Sequence, residues 1–98
     1  MYDNGRGVAK DARKAAELYE KAATQGHLKA QSNLAISYLN GDGVPKDDIR
    51  AYAWFSIAIF GGDEVARRSR GAMEKRLTPA QRVAGDKLAR EIAATIRR

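Results

Sequence analysis

The chain has 98 residues and a mass of 10.7 kDa, enough for one modest hydrophobic core. Hydrophobic residues make up 44% and charged residues 31%, a balance typical of a folded domain and not of a disordered tail. The absence of cysteine excludes disulfides, thiolate metal sites and a cysteine nucleophile, and no apolar run is long enough to cross a bilayer. The net charge of +6 is uneven, because residues 62–98 contain ten Lys and Arg against five Asp and Glu.

An internal repeat with a period of 36 residues runs through the first two thirds of the chain. Shifting the sequence by 36 positions produces ten identities within the first 26 residues, without a gap. Similar composition alone would not maintain such a register, so the sequence indicates a tandem array. The identical pairs are Tyr2/Tyr38, Asn4/Asn40, Gly5/Gly41, Gly7/Gly43, Val8/Val44, Lys10/Lys46, Asp11/Asp47, Ala15/Ala51, Ala22/Ala58 and Gly26/Gly62.

The first unit is predicted to begin with a loop and continue into a helix. Gly5 and Gly7 lie in the segment 4–8, which we expect to share the backbone geometry of the aligned glycines Gly41 and Gly43. Asp11 is the predicted N-cap of a helix over about 12–25. Gly26 ends it.

The second unit contains both of its helices. The first is predicted over 28–39, because Ala30, Leu34 and Tyr38 recur at the spacing of one helical face. The segment 40–46 then breaks the helix: Gly41 suits a left-handed C-cap, Gly43 allows a second bend, and Pro45 prevents an immediate new helix. Asp47 is the predicted N-cap of a second helix over about 48–60, which contains Trp54 and ends at Gly61 and Gly62. This helix is apolar nearly all round, so we expect it to be buried.

The C-terminal third is predicted to supply two more helices. Residues 63–76 form the first, with an apolar stripe of Val65, Ala66, Ser69, Met73 and Leu77. Thr78, Pro79 and Gln81 carry the signals of a capping box that opens a helix reaching about residue 97. We expect its stripe to cover Ile57 and Phe60; the stripe consists of Ala80, Val83, Ala84, Leu88, Ile92 and Ile96.

Helix pairs of this length are too short to be stable alone and must stack on their neighbours. The predicted fold is therefore all-α, an α-α superhelix or solenoid of antiparallel helix pairs in a single domain. We divide it into a partial first repeat (1–26), a full repeat (27–62), the first helix of a third unit (63–77) and a C-terminal capping helix (78–98).

The repeat resembles the SEL-one-like repeat, a relative of the tetratricopeptide repeat. The positions that carry the resemblance are Gly5, Gly7, Asp11, Gly26, Tyr38, Gly41, Gly43, Asp47, Trp54 and Gly62. Two positions depart from the family pattern, Ala35 in place of a glycine and Leu18 in place of a tryptophan. The resemblance implies a non-enzymatic scaffold for protein–protein interaction, frequent in bacteria. Its site would be the concave face lined by the first helix of each unit.

Six residues are our candidates for that face because they lie on the open arc of the first helices: Lys29, Asn33, Ile36, Asn40, Ser69 and Arg76. They would form a polar, mildly cationic groove suited to an acidic or carboxylate-bearing peptide. The alternative hypothesis is that the basic C-terminal third binds nucleic acid or another polyanion.

Catalytic and metal-binding constellations have no support in the sequence. His27 has no second histidine, and the serines have no histidine at a spacing that suggests a triad. Gly41 and Gly43 follow a helix and lack the Lys-Ser/Thr of a phosphate loop, and the acidic residues near Asp47 lack the spacing of a calcium loop. We therefore predict no enzyme activity, no metal and no cofactor.

The chain begins inside a repeat unit, so an upstream segment, including any targeting sequence, is expected to be missing. Localisation is consequently open between the bacterial cytoplasm and periplasm. The helix at 12–25 would lack its own partner helix, which leaves an apolar edge on which a second copy could stack. We expect a weak homodimer through this edge, formed by Ala12, Ala15, Ala16, Tyr19 and Ala23.

Overall fold

The computed structural model describes the backbone of residues 6–96 and the side chains of residues 11–96. Within that part of the chain every regular element is an α-helix, which confirms the predicted all-α class. Short turns separate consecutive helices. The five helices are α1 (Arg6–Thr24), α2 (Leu28–Asn40), α3 (Asp48–Phe60), α4 (Glu64–Glu74) and α5 (Pro79–Thr95).

The start of α1 corrects the prediction for the first unit. Gly7 and Asp11 lie inside the helix, so neither belongs to a loop or an N-cap, while Gly5 lies outside the described residues. The two copies therefore do not share a loop geometry. The physical reason is a single difference between them: Ala9 stands where the second copy has Pro45, so nothing removes a backbone donor or forces the chain out of the helix.

The helix boundaries from α2 onward follow the local signals in the sequence. Gly41 caps α2 in the left-handed conformation at φ 73°, and its N–H and that of Asp42 both donate to Ser37 O. The Asp47 carboxylate accepts from Arg50 N at 3.0 Å and opens α3 at the predicted residue. Thr78 opens α5 with the predicted capping box. Asp63 caps α4 in the same way as Asp47 caps α3.

Helix α3 lies at the centre of the fold, packed against α2, α4 and α5. Every residue from 51 to 58 is buried, as expected for a helix that is apolar on all sides. Leu34 and Ala35 of α2, Ala66 and Met73 of α4, and Ala89 of α5 complete the core around it. Trp54 and its aromatic neighbours are buried here and pack the core.

Helix α5 covers α3 with only part of the predicted stripe. Ile96 is buried and Leu88 and Ile92 pack against the core, as predicted, but the first half of the stripe does not. Val83 is 65% exposed and Ala80 and Ala84 are exposed, whereas Gly85 and Ala89 are buried. Phe60 is 83% exposed and is left uncovered. The cause lies at Tyr52 of α3, because a Cβ at position 85 would meet the tyrosine ring at 2.5 Å. Only glycine lets the two helices approach there, and this contact sets the rotation of α5.

The predicted stripe of α4 holds at most of its positions. Ala66, Met73 and Leu77 are buried and Ser69 is half-buried, while Val65 points away from the core and is half exposed. The stripe is narrower than predicted because α4 packs mainly against one helix of the core, α3.

Candidate functional site

The loop between α2 and α3 holds the first unit against the second. Gly43 has φ 78°, a conformation that favours glycine, and a Cβ there would overlap the main-chain carbonyl of Ala12 in α1. The backbone of Asp47 donates to Tyr38 O at 2.9 Å and closes the loop onto the end of α2. These contacts fix the position of α2 relative to α1, so they also fix the grooves on either side of α2.

One groove, here called the α2/α4 groove, has a volume of about 400 Å³. Three of the six candidate residues meet in it: Asn40 from the end of α2, Ser69 from the middle of α4, and Arg76 from the turn that follows α4. Leu39, Ala72 and Met73 supply its apolar surface. The arrangement offers an amide, a hydroxyl and a guanidinium around an apolar strip, which is a combination suited to an extended peptide.

The rim of the α2/α4 groove carries more positive than negative charge. Lys46 Nζ lies 2.9 Å from Asp48 Oδ1 and also donates to Leu39 O at 3.1 Å. Arg76 Nη2 lies 3.9 Å from the same carboxylate oxygen. Two cations therefore share one carboxylate, and the Arg76 side chain stays 55% exposed. Lys46 was not among the candidates from the sequence, because its position in the loop gives no helical periodicity to follow.

A second groove, the α1/α2 groove, holds two further candidates, Asn33 and Ile36. It has a volume of about 310 Å³ and is lined on the other side by Ala12, Ala15 and Tyr19 of α1. Ala16 and Ala23 are buried, so α2 covers part of the apolar edge that we expected α1 to expose. The sixth candidate, Lys29, is exposed in the first turn of α2 and lines neither groove.

Tyr38 joins the end of α2 to the start of α3. The Arg50 guanidinium lies 5.9 Å from the centre of its ring, within the range of a cation–π contact. Burial raises the pKa of the Tyr38 hydroxyl above its ordinary value of 10.0, and the negative charge of Glu20 adds to this effect. The hydroxyl is therefore neutral at physiological pH and can act only as a hydrogen-bond donor or acceptor.

Arg70 of α4 links three helices through its guanidinium. Nε donates to Ser56 Oγ of α3 at 2.7 Å, Nη1 to Glu74 at 3.0 Å and Nη2 to Asp86 of α5 at 3.3 Å. The guanidinium lies 4.6 Å from the centre of the Tyr52 ring. The sequence analysis missed this residue. Only the pair with Glu74, four residues away, could be found in the sequence, because Ser56 and Asp86 lie 14 and 16 residues away in the chain.

The described part of the chain contains no cluster of potential metal ligands. Among residues 11–96, no three His, Cys, Asp or Glu side chains lie close enough to hold a metal ion. His27 is exposed at the N-cap of α2, and its side chain makes no capping hydrogen bond. The two groups with a resolved pKa shift in that range, Tyr38 and Tyr52, are tyrosines held neutral by burial.

The described helices are all too short or too polar to cross a membrane. Consecutive helices pack side by side through short turns, and α3 is enclosed by its neighbours. The fold therefore defines a helical repeat protein of the solenoid type, with grooves between its helices.

Comparison with known proteins identifies the repeat. The chain matches the Sel1 repeat over residues 1–27 and 28–63, and it belongs to the Sel1 repeat family. Among solved structures, it is similar to a protective antigen present in uropathogenic Escherichia coli strains, whose crystal structure displays an SLR fold. The two share 34% identity over 94% of this chain, with a TM-score of 0.83. This chain spans 20% of the length of that antigen. No match was found among curated proteins.

Proposed function

We propose that the chain is a non-enzymatic scaffold that binds an acidic segment of a partner protein in the α2/α4 groove. Sel1 repeats generally serve as scaffolds for protein–protein interaction and are typically non-catalytic. The choice of groove rests on one observation, that Lys46 and Arg76 share the single carboxylate of Asp48 at its rim. A partner carboxylate would complete this cluster with a second negative charge.

The remaining features of the groove agree with an extended peptide as its ligand. Asn40 and Ser69 can each donate and accept hydrogen bonds, so they can pair with a peptide backbone in either direction. Met73 contributes a flexible apolar surface that adapts to different side chains. Asn33, Ile36 and Lys29 would extend the contact surface along α2 for a partner longer than the groove itself.

The test uses a library of short random peptides selected on the immobilised chain. We expect the selected sequences to be enriched in Asp and Glu, and Arg76→Ala to weaken their binding about tenfold, which corresponds to about 1.4 kcal/mol. Arg67→Ala is the matched control, since Arg67 is a solvent-exposed arginine of α4 that lies outside the groove. Asn40→Ala should weaken binding without changing thermal stability, because the side chain is exposed.

Two outcomes would contradict the proposal. One is a selection with no acidic preference, and the other is an equal loss of affinity for Arg67→Ala and Arg76→Ala. Binding to mixed-sequence DNA or RNA, with an affinity that falls steeply as salt is raised, would support the polyanion hypothesis instead. The ion pairs of the described residues weaken the polyanion hypothesis, because Arg67 and Arg70 already contact acidic side chains of the chain itself.

A further inference from the structure

A separate groove lies between α3, α4 and α5. We call it the Phe60 groove and define it by Ile59, Phe60, Arg70, Ala89, Arg90 and Ala93. Its volume is about 560 Å³, larger than either groove beside α2. Ala89 and Ala93 are spaced by one helical turn on α5, and their small side chains leave open the space between α5 and the end of α3.

Phe60 gives this groove an exposed aromatic wall. It is the last residue of α3, and it is 83% exposed although the eight residues 51–58 before it are buried. Three other large hydrophobic residues are exposed among residues 11–96, namely Leu18, Val65 and Val83, and none of them lines a groove described above. An exposed aromatic residue at the edge of an apolar groove is typical of a docking surface, because aromatic anchors contribute much of the binding energy at interfaces.

Among the charged side chains of the Phe60 groove, Arg90 is the one available to an acidic partner. Arg70 is held by Glu74 and by Asp86, which also lines the groove, so its positive charge is already balanced and the three side chains together carry a net charge of −1. Arg90, at the other end, is exposed, and no acidic side chain among residues 11–96 lies within 4.0 Å of its guanidinium. The groove therefore offers one free cation beside its apolar surface.

The net charge of the C-terminal third disfavours a second copy of this chain as the occupant. Residues 62–98, which include α4 and α5, carry a net charge of +5, with ten basic and five acidic residues. Two such surfaces would repel each other on approach, whereas an acidic segment would be attracted.

We propose that the Phe60 groove is a second docking surface, which binds an acidic peptide segment through a bulky apolar side chain of that segment. The apolar side chain packs on Phe60 and between Ile59 and Ala93, and a neighbouring carboxylate pairs with Arg90. This inference does not rest on the α2/α4 groove, since the two surfaces share no residue.

The test follows backbone amide shifts in the ¹⁵N-labelled chain during titration with a short acetylated peptide, in which Phe-Leu is flanked by Glu and Asp. We expect the largest shifts at residues of the Phe60 groove. Phe60→Ser should weaken binding at least tenfold, a change of about 1.4 kcal/mol, and Arg90→Gln about fivefold. Because both side chains are exposed, both variants should keep the thermal stability of the parent chain.

Matched controls distinguish binding at this site from non-specific binding to exposed apolar or charged side chains and from binding in the α2/α4 groove. Val83→Ser removes an exposed apolar side chain of α5 outside the groove, and Arg67→Gln removes a cation elsewhere on the surface. Neither should change the affinity. Replacing Phe-Leu in the peptide with Ser-Ser, or its acidic residues with Gln and Asn, should each weaken binding.

Three results would overturn the proposal. The first is the absence of shifts in the Phe60 groove with peptide at about 1 mM, the weakest affinity that would still count as recognition. The second is shifts confined to Asn40 and Arg76, which would assign the peptide to the α2/α4 groove alone. The third is self-association of the parent chain in sedimentation that Phe60→Ser abolishes, which would make a second copy the occupant.

Discussion

Replacing Gly85 with alanine should destabilise the protein, although alanine is the better helix former. Gly85 lies in the interior of α5, where the change to alanine would by itself stabilise the helix by about 1 kcal/mol. The added Cβ would, however, lie 2.5 Å from Cδ2 of Tyr52, about 1 Å closer than an ordinary carbon–carbon contact. Either the tyrosine ring or the whole of α5 must move.

The ring of Tyr52 has no room to move away. It is 1% exposed, its face is covered by the Arg70 guanidinium at 4.6 Å, and its hydroxyl is 3.2 Å from Glu74. Overpacking a site of this kind costs about 2–3 kcal/mol, and after the helix-propensity gain the net loss is about 1–2 kcal/mol. For a domain of this size the melting temperature should fall by about 5–15 °C.

Gly71→Ala provides the matched control in α4. A Cβ at Gly71 would meet nothing within 4 Å, so only the helix propensity changes, and the melting temperature should rise by about 3–8 °C. Thermal unfolding of the two variants by circular dichroism is the assay. If Gly85→Ala raises the melting temperature as Gly71→Ala does, then α5 does not contact Tyr52 as closely as described, and the explanation of its rotation is wrong.

Other variants test the remaining contacts. Gly43→Ala should lower stability by more than 2 kcal/mol in a denaturant titration, because strain at positive φ adds to an overlap with α1; an unchanged midpoint would contradict this. Arg70→Ala should cost about 2 kcal/mol by leaving two carboxylates unpaired, against less than about 0.5 kcal/mol for the exposed Arg67→Ala. The pKa of Tyr52 is raised above 10.0 chiefly by burial, so the contribution of this side chain to stability should be constant below about pH 10 and be lost above it, an effect that Tyr52→Phe should remove. Sedimentation at about 100 µM tests the weak homodimer, which Tyr19→Glu should dissociate; a monomer throughout would refute it.

The sequence predicts the helices well wherever a local signal ends or begins them. Asp47 and Thr78 are side-chain caps that act within three residues, and Gly41 needs no distant partner to adopt positive φ. The first unit was predicted wrongly because alignment with the second copy transferred a loop from Gly43 to Gly7. That loop depends on Pro45, which the first copy lacks. A single residue therefore determines the local backbone even where the neighbouring positions of the two copies are identical.

The position of α5 could not be read from its apolar stripe. Leu88, Ile92 and Ile96 pack on the core as the stripe predicts. Val83 is nevertheless exposed, and the helix also packs through Gly85 and Ala89, which add little hydrophobicity. The position is decided by the shape of Tyr52, a residue 33 places earlier in the chain. The candidate site shows the same limit: the helical wheel of α2 selected Asn40, but it could not show that Lys46 in the loop joins the rim.

Stability and recognition are carried by different residues in this fold. The buried run of α3 and the close contacts at Gly43 and Gly85 leave no room for variation without loss of packing. The side chains that line the grooves, such as Arg76 and Phe60, are exposed and contribute little to the core. A repeat protein of this kind can therefore change its partner through substitutions in the grooves while α3 and the glycine contacts maintain the stack. Consequently, groove variants that abolish binding should unfold at the temperature of the parent chain, whereas variants at the glycine contacts should lose both.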